Sequence, residues 1–548
     1  MKSTVLVCLF VLGACKGDIT DSQSNEPSTT NPQTVSVLTQ HNDNTRAGWN
    51  ASETALTTSS VNVQHFGKLF TLSVDDQVYA QPLVAGGITI RGGLHNVVYA
   101  ATVNNSIYAF DGDNGKLYWQ RNFTAPGMRP TRNTDLAGAC GGTYTDFIGN
   151  IGIVGTPVID GAKHTIYFVT RSISGSDNAF VQHLHAVDIV TGSEVAGSPV
   201  VITATANGSG DGSVNNLITF DAERQNQRQG LTLLNGVVYV TFSSYCDWGP
   251  YHGWILGYDA KTLQQQVVYN ATPDGSAGGM WESGAGMAAD AQGNLYIVVG
   301  NGTVGTTSDP TSSRNRGESA LKLTRSGATL QVASYFTPSN YQQLNDGDLD
   351  YGGPGAFLIP NSSYYFTGAK DGTLYLLNKD AMGGYQSSGN AVQQTVSLGS
   401  SVNLHCQPAY YKGATKEFVY VWSENDALRA IPFDRGSSML DEAGQVTMAS
   451  GGPTGLSGAL LSVSSNGSVD GTGIVWASHS YGGDAGHAVA DGILRAFDAS
   501  DVTKEIWNNR QTAPDAAGKF AKFAPPTIAN GHVYLPTFSN QIAVYGLR

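Results

Sequence analysis

The feature that most constrains this chain is an internal repeat. An apolar strand, a turn rich in Asn and Gly, a second strand carrying Val-Tyr, and a third strand ending in Ala-Phe-Asp or a close variant recur along its length. The fullest copy runs Asn96-Val97-Val98-Tyr99-Ala100-Ala101, Ile107-Tyr108-Ala109-Phe110-Asp111 and Asn114-Gly115-Lys116-Leu117-Tyr118-Trp119. The third-strand signature returns at His185-Ala186-Val187-Asp188, Leu256-Gly257-Tyr258-Asp259, Ala320-Leu321-Lys322-Leu323, Tyr375-Leu376-Leu377-Asn378, Arg429-Ala430-Ile431, Arg495-Ala496-Phe497-Asp498 and Ala543-Val544-Tyr545. That makes eight copies at a period of about 60 residues, longer than the usual propeller repeat. Turns such as Asp160-Gly161, Asn235-Gly236 and Asn530-Gly531 supply residues that tolerate the positive φ of tight hairpins. One small sheet cannot bury both faces alone, and a ring of such sheets can. The expected fold is all-β, a single eight-bladed β-propeller of four-stranded blades over 36–548.

The last copy stops at Arg548 without a fourth strand, whereas Gly67-Lys68-Leu69-Phe70-Thr71-Leu72 stands as a spare strand before the first. Pairing the two would close the ring and remove an exposed edge. Glycine at 67 of 548 residues and charged residues at only 13% fit a turn-rich body of this kind.

The first fifteen residues carry a different message. Lys2 precedes a short apolar run from Thr4 to Val11, then Leu12-Gly13-Ala14-Cys15. The run is too short to span a bilayer, and small residues before a cysteine resemble the bacterial lipobox. The implied outcome is removal of 1–15 as a signal peptide and lipidation of Cys15. The Ser/Thr/Asn/Pro-rich stretch 16–35 reads as a tether. Lys16 and Gly17 rather than Asp after the cysteine favour an outer-membrane or cell-surface lipoprotein, a monomer held to the membrane by its lipid alone. Cys140, Cys246 and Cys406 remain; one disulfide with a buried thiol, or three free thiols, are both open. There is no zinc-type spacing and no haem-attachment motif. A net charge of −13 without a basic cluster argues against nucleic acid.

The repeat, with its Ala-Phe-Asp and Asn-Gly-Lys-Leu-Tyr-Trp elements, resembles that of the pyrroloquinoline quinone (PQQ) propeller superfamily. In that group a Trp such as Trp119 packs between blades, and Trp507 is a second candidate. A closer resemblance is to secreted bacterial PQQ-like repeat proteins of undefined activity. It rests on His41-Asn42-Asp43-Asn44-Thr45-Arg46, Arg224-Gln225-Asn226-Gln227-Arg228, Pro250-Tyr251-His252-Gly253-Trp254 and Lys370-Asp371-Gly372-Thr373-Leu374-Tyr375. The quinoprotein alcohol dehydrogenases of the superfamily hold PQQ and Ca²⁺ on the ring axis. That resemblance implies Asn301, Asp350 and Asp177 as metal ligands, Asp350 as catalytic base, Lys370 over the quinone oxygens and Trp281 beneath the ring. Two adjacent cysteines of those enzymes are not reproduced, since Gly141 follows Cys140. Independently, Arg228 and His252 lie where strand starts surround a propeller funnel and would suit an anionic or hydroxylated ligand; an inter-blade hydrogen-bond network is the competing reading. Two function classes follow. One is a quinoprotein-type oxidoreductase acting on an alcohol or sugar with PQQ and calcium. The other is a non-catalytic scaffold binding a carbohydrate or an envelope protein.

Overall fold

A computed structural model of the chain describes residues 34–448 and 451–548, and these form an eight-bladed β-propeller. The signal sequence, Cys15 and nearly all of the 16–35 stretch lie outside the described residues. Val35 already belongs to the ring: its N–H donates to Asn530 Oδ1 at 2.7 Å.

Each blade is built on four antiparallel strands, in sequence order except in blade 8. In blade 1 the strands are Leu83–Ile90, Gly93–Ala101, Ser106–Asp111 and Leu117–Asn122. The inner strands of blades 2 to 8 are Val158–Asp160, Thr232–Leu234, Ala288–Ala289, Phe357–Leu358, Ala409–Lys412, Leu460–Ser464 and Thr527–Ala529. All eight Ala-Phe-Asp-type signatures fall on third strands, and the Asn-Gly and Asp-Gly turns join first to second strands. Third strands are apolar on both faces, as the fully buried Ser106–Asp111 illustrates, because each blade packs against two neighbours. The apolar core is correspondingly eight layers, each shared by two consecutive blades. Trp119 lies in the layer between blades 1 and 2 and donates from Nε1 to Ile189 O at 3.0 Å. Trp507 lies between blades 7 and 8, edge-on to Phe66 at 4.9 Å between ring centroids.

Closure follows the expected route. Phe66–Ser73 is the outer strand of blade 8 and pairs antiparallel with Gln541–Leu547 from Phe66↔Leu547 to Ser73↔Gln541.

The repeat does not foretell one feature. Residues 37–50 run around the ring axis and visit every inner strand in turn; only the last two, Trp49–Asn50, form a strand, pairing parallel with Val463–Ser464 of blade 7. Val37 exchanges two backbone bonds with Val84 of blade 1, and Leu38 O accepts from Ile159 N of blade 2. Asn44 donates from Nδ2 to Leu233 O of blade 3 at 2.9 Å and accepts from Ala289 N of blade 4. Thr45, Ala47 and Gly48 present carbonyls to Leu358, Tyr410 and Val463 of blades 5, 6 and 7. Asn50 ends the circuit, donating from Nδ2 to Ile528 O of blade 8 at 2.9 Å. Inner edges would otherwise leave unpaired backbone groups around the axis, which is costly away from water.

Arg46 anchors the crossing. It is fully buried, and its five N–H groups meet five neutral oxygens: Met287 O, Thr39 Oγ1, Gln40 O, Leu231 O and Thr232 Oγ1. Burial lowers its pKa to about 10, with the charges of Asp43 and Glu282 opposing that shift, so the guanidinium stays charged at neutral pH. Replacing it by leucine strands those acceptors in the interior. We expect Arg46→Leu to lower the free energy of unfolding by about 3–5 kcal/mol in denaturant titration. A loss below about 1 kcal/mol would show that the axial segment does not hold the ring.

Candidate functional site

Beyond the axial segment the channel widens into a funnel of about 370 Å³ at one end of the ring. Its wall comes from two kinds of segment. Connections that lead into inner strands supply Asp146, Arg228, Trp281, Asp348, Asp350, His405 and Phe523; turns between second and third strands supply Cys246, Asp247, Lys370, Glu424 and Asp484. The axial segment bonds further along, on the inner strands themselves, so it closes the channel behind the funnel.

The residues expected from blades 4 and 5 converge. Lys370 Nζ stands 2.6 Å from Asp350 Oδ2 and 3.1 Å from Asp348 Oδ1. Asp350 Oδ1 accepts from the Asn301 N–H at 2.8 Å, and Asn301 Nδ2 donates to Asp348 Oδ1 at 2.8 Å. Glycine at 300 is a steric requirement of this cluster, since a Cβ there would sit 2.4 Å from Asp350 Oδ1 and 2.8 Å from Trp281 Cδ1. Burial pulls the Lys370 pKa down, but the charges of Asp350 and Asp348 outweigh it and leave the ammonium stabilised. Glu318 lies behind the cluster, accepting from Tyr351 N at 2.7 Å; burial and the charge of Asp350 hold its carboxyl well above the usual range.

Trp281 and Arg228 form the adjoining wall. The guanidinium is stacked between two rings, 5.1 Å from the Trp281 centroid and 4.7 Å from that of Phe523, and Nε donates to Trp281 O at 3.0 Å. Across the funnel His405 Nδ1 meets Glu424 Oε1 at 2.6 Å and His487 Nδ1 meets Asp146 Oδ1 at 2.9 Å. Asp247 accepts from the Tyr251 hydroxyl, and burial together with the Asp350 charge raises its pKa to about 6. Cys140 and Cys246 form a disulfide on the same wall, 106 positions apart in sequence, while Cys406 is a buried free thiol.

Two expected residues are elsewhere. Asp177 is exposed at the tip of the hairpin following Thr165–Ser174, the longest second strand of the ring, and it caps that turn by accepting from Ala179 N. The extra length carries it past the funnel wall. His252 is buried between blades: Nδ1 meets Thr272 Oγ1 at 3.0 Å and Nε2 meets Asp211 O at 2.8 Å. It belongs to the inter-blade network rather than to the funnel.

Asp146, Asp247, His405, Glu424, Asp484 and Phe523 were not singled out from the sequence. Part of the set has a common signal: Asn301 and Lys370 follow second strands by two positions, and Asp247, Glu424 and Asp484 by three. Glu282, next to Trp281, is buried, and burial raises its pKa to about 8. The folded state therefore keeps a proton that the unfolded chain releases above its ordinary pKa near 4.5. Stability should fall as pH rises from there toward 8, by up to about 1.4 kcal/mol per unit. Glu282→Gln should match wild type at pH 4 and exceed it by a few kcal/mol at pH 8; equal pH–stability curves would contradict a protonated Glu282.

No protein-family model matches this chain, and no curated protein sequence does. Solved structures do match. The quinohemoprotein alcohol dehydrogenase ADHIIG from Pseudomonas putida HK5 aligns over 93% of this chain and 80% of its own, at 14% identity and a TM-score of 0.58. The quinohemoprotein alcohol dehydrogenase from Comamonas testosteroni gives the same coverage and identity at 0.56. A europium-containing methanol dehydrogenase aligns over 93% of this chain and 98% of its own, at 12% identity and 0.52. The eight-bladed ring of this chain thus shares the propeller fold of these quinohemoprotein alcohol dehydrogenases and of the methanol dehydrogenase.

Proposed function

We propose that this protein binds a small hydroxylated molecule, an alcohol or a sugar, in its axial funnel against Asp350, Lys370 and Asn301. Asp350 and Lys370 stand together on one wall of an open cavity, with Asn301 bonded to Asp350 and Asp348 beside them, and that convergence carries the reading. A hydroxyl both donates and accepts, and the wall offers carboxylate acceptors beside an ammonium donor. The flanking Trp281 and Phe523 supply apolar surface for carbon-bound hydrogens.

A quinoprotein-type oxidoreductase is the second reading. The fold favours it. Lys370, Asp350 and Trp281 also stand together, as a quinone site would require. The other residues fit a calcium–PQQ pair poorly. Asn301 Oδ1 and Glu318 Oε1 are buried acceptors without a partner, as a cation site would have. Yet the charge that Asp348 and Asp350 face is already the Lys370 ammonium, and Asp177 is on the rim. Among the described residues no group of three or more His, Cys, Asp or Glu is arranged to hold a metal ion. The Trp281 face that a ring would stack on is covered by Arg228. PQQ, a tricarboxylate, would also enter a funnel with more carboxylates than cations.

Calorimetry with glycerol and glucose separates the readings. Binding without PQQ or Ca²⁺, weakened at least ten-fold by Asp350→Asn, is expected. Sugar-independent, Ca²⁺-dependent PQQ uptake with dye reduction on an alcohol panel would replace the first reading by the second. Absence of both would turn attention to the scaffold reading, with an envelope protein as partner.

Export with a lipid on Cys15 is part of the same proposal. The Cys140–Cys246 bridge supports an oxidising compartment. Expressed in a bacterial host, the wild type should fractionate with membranes and Cys15→Ser with the soluble fraction; a soluble wild type would defeat the anchor.

A further inference from the structure

Arg228 is out of balance with the rest of the funnel. Each lining carboxylate has a partner within the chain. Asp350 and Asp348 share Lys370, Glu424 has His405 and Asp146 has His487. Asp247 has the Tyr251 hydroxyl, and Asp484 accepts from the N–H groups of Leu456 and Gly486. Arg228, by contrast, spends only Nε, on a neutral carbonyl. It enters no ion pair among the described residues, and its two terminal nitrogens have no hydrogen-bond partner there although the side chain lines the cavity. A guanidinium held between Trp281 and Phe523 keeps its fixed plane and presents its donor edge, a geometry suited to taking a carboxylate through two parallel bonds. Trp281 links the two halves of the wall: Arg228 stacks on its ring, and its Cδ1 lies against Gly300 beside Asp350.

From this we infer that the funnel's ligand is a hydroxy monocarboxylate, such as a sugar acid, with its carboxylate on Arg228 and a hydroxyl at Asp350 and Lys370. The inference rests on the funnel being the site for a hydroxylated molecule and adds the charge that the molecule carries. One unpaired cation on the wall matches one carboxylate. A neutral sugar would leave the guanidinium unmatched, and a polyanion would bring charges with no counterpart.

Matched probes differing at one carbon provide the test. By calorimetry at low ionic strength, D-glucuronate should bind the intact protein at least ten-fold more tightly than D-glucose. The advantage should shrink as NaCl is raised, as screening of a charged contact requires. Arg228→Gln, with folding verified by circular dichroism and thermal melting, should abolish the preference, and Arg228→Lys should keep part of it. Acetate, which has the charge and no hydroxyls, should bind far more weakly than glucuronate. Equal affinities for glucose and glucuronate would overturn the inference and leave the hydroxylated-ligand reading standing. Acetate binding as well as glucuronate would also overturn it, by showing a simple anion hole. Binding of neither sugar at millimolar concentration would remove the funnel reading itself.

Discussion

The structure depends on how eight inner strand edges are satisfied at one axis. A ring of sheets solves the problem of faces, since each blade buries both of its own against neighbours. It leaves the innermost backbone groups converging on a channel. Residues 37–50 answer that need with one short piece of chain that offers a carbonyl, an N–H or an Asn amide to each blade in rotation. The fully bonded Arg46 fixes the crossing to blades 3 and 4. Two consequences reach the funnel: its far end is closed, so a ligand enters from one face, and the inner strands that carry its lining loops are tied together.

The chemistry on that face comes from position rather than from any contiguous motif. A residue two or three places past a second strand reaches the funnel from blades 3, 5, 6 and 7, and connections into the inner strands fill the gaps between them. Close packing makes the arrangement exacting. Asp350 can approach Asn301 only because position 300 has no side chain, and Lys370 satisfies two carboxylates at once because both lie on the short segment between blades 4 and 5.

Much of this was legible in the sequence, and the reasons are specific. The blade count and the terminal pairing followed from a repeat in which turn residues and apolar strands obey local rules. Asn301, Asp350, Lys370 and Trp281 were reached through the resemblance to the quinoprotein alcohol dehydrogenases, and Arg228 through its place just before an inner strand. Asp177 misled because a carboxylate at the right offset says nothing of how far its hairpin extends. His252 took the inter-blade network, the competing of its two readings, because an imidazole near strand starts serves a buried network as readily as a ligand. The axial role of His41 to Arg46 was hidden: the motif stood out, but bonds to eight separate strands leave no periodic trace. The Cys140–Cys246 pairing was equally silent, since it joins two loops that only the closed ring brings together.

The axial segment also dictates the order of assembly. Each blade can form from neighbouring residues, but Val35 meets Asn530 across 495 positions and Asn50 meets Ile528 across 478. The beginning of the ring thus waits for its very end, so the finishing step is of the highest contact order the chain allows, and such steps are slow. Until it occurs, blades are present with their inner edges open, the state in which β-sheets recruit strands from other molecules. The chain therefore matures only after its final strand is available, with a window of vulnerability set by its topology rather than by the strength of any single blade.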